Sequence, residues 1–271
     1  MNLAQRQISD FAANGYISLS QLIDNDSLIE LREIFDHLFA PPADGGKPLY
    51  YDLTGSDPDE PLTAGSVPQL LHPSHHVPEL TQTRAWEVSL QIAEQLLDMG
   101  SYRREDLIVR DHAIVKPPGS TGPTPWHQDE AYWEQNLNYQ ELTVWIALQQ
   151  TTEQMGCMQF IPGSHKQEVL THHSWKNDPR VIAIEVDEGQ FEKNQAKACP
   201  LDPGGATVHH ARVLHYTTGN SSNEPRRAFI LTIGTPPTKR TTSRDFYWNR
   251  RDRHYNNHIT PKATQAEDGT N

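Results

Sequence analysis

Two cysteines, Cys157 and Cys199, are too few for a disulfide framework. No stretch approaches the ~18 consecutive apolar residues needed to cross a bilayer, so no membrane association is expected. The amino-terminal MNLAQRQISDFAANGY has no basic region followed by an apolar one, so no signal peptide is expected either. Positive charge is also scarce: 23 Lys and Arg stand against 35 Asp and Glu, a net charge of −12 with His neutral. A nucleic-acid partner would need a Lys/Arg surface to meet its phosphates, so that class is excluded. Nor is there an internal repeat, a heptad pattern or a glycine-rich phosphate loop. The chain reads as soluble and cytoplasmic, a monomer or homodimer.

What is present is a modest apolar fraction, 35%, with 20 prolines in 271 residues. A chain of that length buries close to three-quarters of its unfolded surface, so a core is available and the polar remainder goes into loops. A single domain is expected over residues 1–271, because all-β barrels often reach this size as one unit. Apolar spacing predicts helices within 3–40, with Gly15 as a stop and Asp26 or Ser27 capping a second helix through Leu28, Leu31, Ile34, Phe35 and Leu38. The stretch 41–77, rich in Pro, Gly, Asp and His, is expected to be a lid, a binding loop or disordered. A third helix is predicted over 78–99. Short apolar or β-branched segments follow at 106–116, 142–150, 157–162, 179–187, 206–217 and 227–235, the pattern of a sandwich or barrel. Three regions result: supporting helices and a lid loop over 1–100, a β core over 101–235, and a polar cap or tail over 236–271.

Fourteen histidines make chance clusters common, so what matters is which of them can converge. In TPWHQDEAYW, His127 and Asp129 are separated by one residue, and on a strand they would face the same way and grip one ion. Alone, His-x-Asp is a weak signal. After the turn at Gly204-Gly205 a strand is predicted from Ala206 to Thr217, with Thr207, His209, Ala211, Val213, His215 and Thr217 on one face. Two histidines and a carboxylate fill three adjacent positions of an octahedron and leave three open, the facial triad of non-haem Fe(II) oxygenases. Zinc would more often be closed by a fourth ligand or hold one water. Arg226-Arg227 opens the apolar strand RAFILTIG. A guanidinium there must pair with an anion, and its planar fork suits a carboxylate. One of the two could hold the distal carboxylate of a keto-diacid that chelates iron.

These pieces resemble the phytanoyl-CoA dioxygenase family of Fe(II)/2-oxoglutarate-dependent oxygenases. The resemblance runs from Lys116 to Gly234 through KPPGS (116–120), WHQDEAYW (126–133), VWIAL (144–148), MGCMQFIPGSHK (155–166) and PGGATVHHARVLHYTTGN with PRRAFIL (203–231), in the family's order and approximate spacing. It implies a mainly β fold with flanking helices around a double-stranded β-helix, the cupin-like jelly roll. It implies His127, Asp129 and His215 as iron ligands and Arg226, eleven residues after the distal histidine, as the co-substrate arginine. Thr217 matches a hydroxyl that assists that arginine, Trp145 an aromatic flanking the co-substrate, and His112, more loosely, a further co-substrate contact. The upstream basic contact known in some members has no match. The implied reaction takes 2-oxoglutarate and O2, releases succinate and CO2, and hydroxylates an unactivated C–H bond. Related halogenases carry a small residue in place of the aspartate, so Asp129 implies hydroxylation or another oxidation.

Pocket walls are expected in 41–77, 167–200 and the C-terminal segment, with Tyr132, Trp133, Tyr247 and Trp248 as candidate lining residues. The negative charge disfavours a CoA ester, although RRDRHY (250–255) is a basic run. A small natural product or secondary metabolite is the expected substrate. His165 is expected to be structural or at the site rim. The pairs His172-His173 and His209-His210 should face opposite ways and not chelate, and Cys157 should be a small buried hydrophobe. Two other classes use the same residues: a cupin-like isomerase or hydrolase, needing metal but no 2-oxoglutarate, and a non-catalytic jelly-roll binding protein, tolerant of losing His127, Asp129 and His215.

Overall fold

The computed structural model describes residues 1–43, 45–55 and 62–249. In chain order its first elements are α1 (Gln5–Asn14), β1 (Tyr16–Leu19), α2 (Asn25–Leu38), β2 (Tyr51–Asp52), β3 (Pro68–Leu71), α3 (Arg84–Leu96), β4 (Ile108–Lys116), β5 (Thr124–His127), β6 (Leu137–Asn138) and β7 (Glu141–Ala147). They continue through β8 (Met158–Phe160), β9 (His172–Ser174), β10 (Ile184–Val186), β11 (Lys197–Cys199), β12 (Ala206–His210), β13 (His215–Thr217), β14 (Arg226–Gly234) and β15 (Thr238–Lys239).

A seven-stranded sheet runs β1-β12-β7-β14-β4-β3-β2, and a four-stranded sheet runs β11-β8-β13-β5. Every ladder in both is antiparallel. Strand β7 is buried at all seven positions because both of its faces are covered. Leu142, Val144 and Ile146 enter a core shared with Leu28, Leu31 and Phe35 of α2 and Val88 and Ile92 of α3. Trp145 and Ala147, on the opposite face, join Met158 and Phe160 of the smaller sheet. Strand β14 divides the same way, with Phe229, Leu231 and Ile233 towards the helices and Ala228 and Ile230 between the sheets. Burial on both faces is why VWIAL and RAFIL read as nearly unbroken apolar runs. Each such Leu, Ile or Phe contributes roughly 1.5–3 kcal/mol. The fold is the expected one: a jelly roll with three α-helices laid on its larger sheet.

The helices begin and end for local reasons. Gly15, at φ 82°, donates its N–H to Phe11 O at 2.8 Å, a left-handed cap that glycine adopts without strain. Asp24 caps α2, its side chain accepting from Ser27 N at 2.9 Å, so the cap lies ahead of Asp26 and Ser27. Thr83 does the same for α3, accepting from Trp86 N. Among the described residues no helix is long and apolar enough to cross a membrane.

Several expected boundaries move. Residues 206–217 are not one strand: β12 belongs to the larger sheet and β13 to the smaller, and the chain crosses between them at 211–214. Asp129 is not on a strand; β5 ends at His127 and Asp129 opens a 3-10 turn, Asp129–Tyr132. Between α1 and α2 lies β1, which pairs with β12. The 41–77 stretch supplies β2 and β3, the latter paired with β4, so it is part of the sheet and more than a lid. Of 179–187 only Ile184–Val186 is strand. The segment after β14 packs Phe246 and Trp248 against Ala131 and Ile184. Residues 250–271, including RRDRHY and most of the expected cap or tail, lie outside the described residues.

Candidate active site

His127 ends β5 and His215 begins β13, and the two are direct cross-strand partners in the smaller sheet. Their ring centroids are 4.1 Å apart. The 3-10 turn after β5 folds Asp129 back towards them, placing Oδ1 3.6 Å from His127 Nε2 and 3.4 Å from His215 Nε2. Among the described residues these three form a group whose ligand atoms all lie within 4.8 Å of one another.

The imidazoles are held in one tautomer. His127 Nδ1 donates to Pro125 O at 2.7 Å, and His215 Nδ1 to Val213 O at 3.0 Å. A carbonyl can only accept, so each Nδ1 carries the proton and each Nε2 presents its lone pair to the centre. Burial, reinforced by His215, pushes the His127 pKa down and keeps that ring neutral. Burial alone would raise Asp129, but His215, His127 and His209 around it outweigh that and hold the carboxyl well below its ordinary range. Two imidazoles and one carboxylate suit a divalent first-row metal with open coordination positions.

The residue between His127 and Asp129 fixes the backbone. Gln128 is wholly buried; its Nε2 donates to Arg212 O at 2.7 Å and its Oε1 accepts from Leu170 N at 2.7 Å. Its backbone N–H donates to His172 Nε2 at 3.3 Å, while His172 Nδ1 donates to Leu170 O at 2.8 Å. Burial pulls His172 down to about 3, so it stays neutral in this role. Asp129 Oδ2 accepts from Thr143 Oγ1 at 2.8 Å, and His209 Nε2 stands 3.3 Å from the same oxygen.

A second cluster lies further into the interior. Arg226, 1% exposed, places Cζ 5.2 Å over the Trp145 ring. Its Nε and Nη1 are buried with no hydrogen-bond partner among the described residues. Burial lowers its pKa, yet a guanidinium stays charged, and an uncompensated buried charge costs several kcal/mol. An anion placed beside it would offset that cost. Thr217 Oγ1 and His112 Nε2 are also buried without partners there. Burial pulls His112 down to about 4 and keeps it neutral. Ile230 pairs in register with both Trp145 and His112, which puts those two in one row of the larger sheet.

Lys116 pairs in register with Arg226 and is wholly buried. Its Nζ donates to Gly122 O at 2.9 Å and Thr218 O at 2.5 Å, tying the segment after Thr217 to β4. Burial, with Arg226 adding to it, forces its pKa far down. Gly219 sits so close to the opposing backbone that a Cβ would meet Ser120 O at 2.4 Å.

The sequence-predicted residues thus form two groups, His127, Asp129 and His215 in one and Arg226 with Trp145 in the other, and His112 and Thr217 are buried with unsatisfied polar atoms. Sequence reasoning missed Thr143, His209, Gln128, His172 and Lys116. Thr143 was within reach, since it alternates with Trp145 on the same strand. Among the aromatics, Tyr132 sets its ring at the edge of His127, 5.7 Å between centroids, and Trp133 carries Arg110 at 5.0 Å. Tyr247 is exposed, and Trp248 packs behind the Asp129 turn, its Nε1 donating to Ala131 O at 2.9 Å.

The chain is similar to proteins of known structure and to curated relatives. EvdO2 from Micromonospora carbonacea var. aurantiaca, in a crystal structure complexed with 2-oxoglutarate, superposes with a TM-score of 0.78 at 33% identity, covering 92% of this chain and 97% of that one. A "Probable alpha-ketoglutarate-dependent hypophosphite dioxygenase" of Stutzerimonas stutzeri is 30% identical over 146 residues, 53% of this chain and 51% of that protein. A phytanoyl-CoA dioxygenase domain-containing protein 1 of Danio rerio is 26% identical over 129 residues, 47% of this chain and 44% of that protein. The chain spans about half the length of the curated relatives it matches. The profile of the phytanoyl-CoA dioxygenase (PhyH) family matches residues 11–228, and with that extent of agreement the chain belongs to the phytanoyl-CoA dioxygenase family.

Proposed function

We propose that this chain is an Fe(II)- and 2-oxoglutarate-dependent dioxygenase that hydroxylates an unactivated C–H bond of a small organic substrate in the cytoplasm. The observation that carries the reading is one jelly-roll interior containing both the His127–Asp129–His215 donor set and an unpartnered buried arginine, Arg226. EvdO2, similar over nearly its whole length, binds 2-oxoglutarate, which supports the same co-substrate here.

His127, Asp129 and His215 would hold the metal. Bound there, Fe(II) supplies activation of O2 coupled to conversion of 2-oxoglutarate to succinate and CO2. The protein's part is placement. Pro125 O and Val213 O fix the two imidazole tautomers, and Thr143 orients the carboxylate. Arg226 takes the distal carboxylate of 2-oxoglutarate, with Thr217 Oγ1 donating beside it, so the buried charge gains its counter-ion only when co-substrate binds. Trp145 gives that guanidinium a flat wall, and His112 Nε2 is free to meet a co-substrate oxygen. Holding the reactants in one orientation within a dry interior is the chief contribution a protein makes to chemistry of this kind.

On the face of β14 that carries Arg226, Ala228 and Ile230 are buried and Thr232 only partly so, and the Arg110 side chain in register with Thr232 is 35% exposed, which supports substrate entry from that end, past Trp133. A small natural product without a strong negative charge suits a chain of net charge −12 better than a CoA ester does. The test is succinate formation from 2-oxoglutarate in air with added Fe(II). Activity that needs both, and that disappears in His127→Ala and His215→Ala, supports the reading; metal-dependent turnover of substrate without 2-oxoglutarate would favour a cupin-like enzyme instead.

A further inference from the structure

His209 is a buried histidine that the proposed mechanism leaves unused. It is 1% exposed, and among the described residues neither ring nitrogen makes a well-aligned hydrogen bond, with Asp129 Oδ2 standing 3.3 Å from Nε2. A buried imidazole without a well-aligned hydrogen bond is costly, so its surroundings should show what it serves. It is the cross-strand register partner of Thr143, and both reach the same atom. Thr143 Oγ1 lies 2.8 Å from Asp129 Oδ2 and His209 Nε2 lies 3.3 Å from it. Thr232 Oγ1, 3.3 Å from Thr143 Oγ1, can donate to it in turn, which turns the Thr143 proton towards Asp129. Phe160 and His215 box the ring, with centroids 5.3 and 4.6 Å away, so His209 has little room to turn elsewhere.

We infer that His209 is a positioning residue for the metal-binding carboxylate: with Thr143 it occupies Asp129 Oδ2, so that Asp129 offers Oδ1 alone. This rests on the reading of His127, Asp129 and His215 as metal ligands. The two oxygens are already divided in the structure, Oδ1 facing His127 and His215 and Oδ2 facing Thr143 and His209. The division matters because a carboxylate binding through both oxygens would fill a fourth position of an octahedron. Two would then remain, enough for a chelating keto acid but not for O2 beside it. Partners of this kind typically govern metal affinity by 10–100-fold.

The experiment is titration of metal-free full-length protein with Co(II), read by visible absorption, for wild type, His209→Phe, His209→Gln and Thr143→Val. Thermal unfolding of each metal-free protein is recorded alongside. The expected result is Co(II) affinity about 10–100-fold weaker in His209→Phe, with a changed visible spectrum. His209→Gln, whose amide can donate to Oδ2, should recover most of the affinity, and the losses should not follow the unfolding temperatures. Unchanged affinity and spectrum in His209→Phe overturn the inference, as does a His209→Gln protein no better than His209→Phe. If His209→Phe does not fold, Thr143→Val decides: weaker Co(II) binding is expected, and an undiminished affinity overturns the inference. Wild-type protein that binds no Co(II) would overturn the metal-site reading itself, a failure distinct from the others.

Discussion

Arg226 lies over the face of Trp145, its Cζ 5.2 Å from the ring centroid, with Nε and Nη1 left without partners among the described residues in a position only 1% exposed. The aromatic face offsets part of the cost of burying the cation, but no carboxylate among the described residues pairs with it. In the ligand-free protein this arginine works against stability and in favour of an anionic ligand.

Arg226→Met should therefore separate the two effects. Removing the uncompensated charge is expected to stabilise the ligand-free protein by on the order of 1 kcal/mol or more. The same change should weaken 2-oxoglutarate binding by roughly 2–5 kcal/mol, as expected when a buried charge loses its partner. Thermal unfolding with and without co-substrate reads both, since a ligand that binds only the native state raises its stability. A 2-oxoglutarate-induced shift equal to that of wild type would remove Arg226 from the site.

Asp129→Gly deletes the carboxylate and the acceptor of Thr143 while leaving both imidazole tautomers anchored to backbone carbonyls. Hydroxylation should be abolished, and Fe(II)-dependent succinate formation should fall at least 100-fold by the scale of a lost ligand or its support. Full turnover in this variant would mean that the carboxylate is not a ligand.

The turn bearing Asp129 is fastened from the C-terminal side. Arg244 Nη1 lies 2.5 Å from Glu130 Oε1, both side chains largely buried, and Arg212 Nε is 3.6 Å from Glu130 Oε2. Arg244→Leu strands much of the Glu130 charge and is expected to cost roughly 3 kcal/mol, the low end for breaking a buried pair because Arg212 remains. Denaturant unfolding of the metal-free protein measures it, and a loss below about 0.5 kcal/mol, the scale of a surface substitution, would contradict the buried pairing.

His172 links acid stability to the backbone between His127 and Asp129. Its folded pKa is pulled down to about 3 by burial, against about 6.5 in an unfolded chain. Between those values the unfolded state binds more protons, so the contribution is fully present above about pH 6.5 and is lost on acidification by up to about 1.4 kcal/mol per pH unit. His172→Gln, with an oxygen able to accept from Gln128 N, should flatten that part of the stability profile in chelator-treated protein. Parallel profiles for the two proteins between pH 6 and 4 would show that His172 does not contribute this way.

How much of this was legible in the sequence depends on whether local spacing or cross-strand register decides it. The segments 142–150 and 227–235 were visible because strands largely buried on both faces are nearly unbroken apolar runs, and 106–116 because apolar pairs flank its polar middle. Gly15 ends α1 as its position suggests. The break between β12 and β13 was hidden, because ARVL carries neither Gly nor Pro and the alternation continues through it. Asp129 shares no strand with His127, so their convergence comes from a turn and not from a two-residue period. His209, Thr143 and Lys116 become informative only once register puts them beside Asp129 and Arg226, and a single sequence carries no register. The pocket walls were placed by exclusion, and part of that expectation falls on residues beyond 249.

The central claim is that one site takes Fe(II) and 2-oxoglutarate together, and an anaerobic titration tests it most directly. Metal-free protein is given Fe(II) and then 2-oxoglutarate while visible absorption is recorded. A charge-transfer band that grows to saturation at one equivalent of each, and that fails to form in Arg226→Met at the same concentrations, is the predicted result. Iron bound at one equivalent with no such band at saturating 2-oxoglutarate would contradict the account.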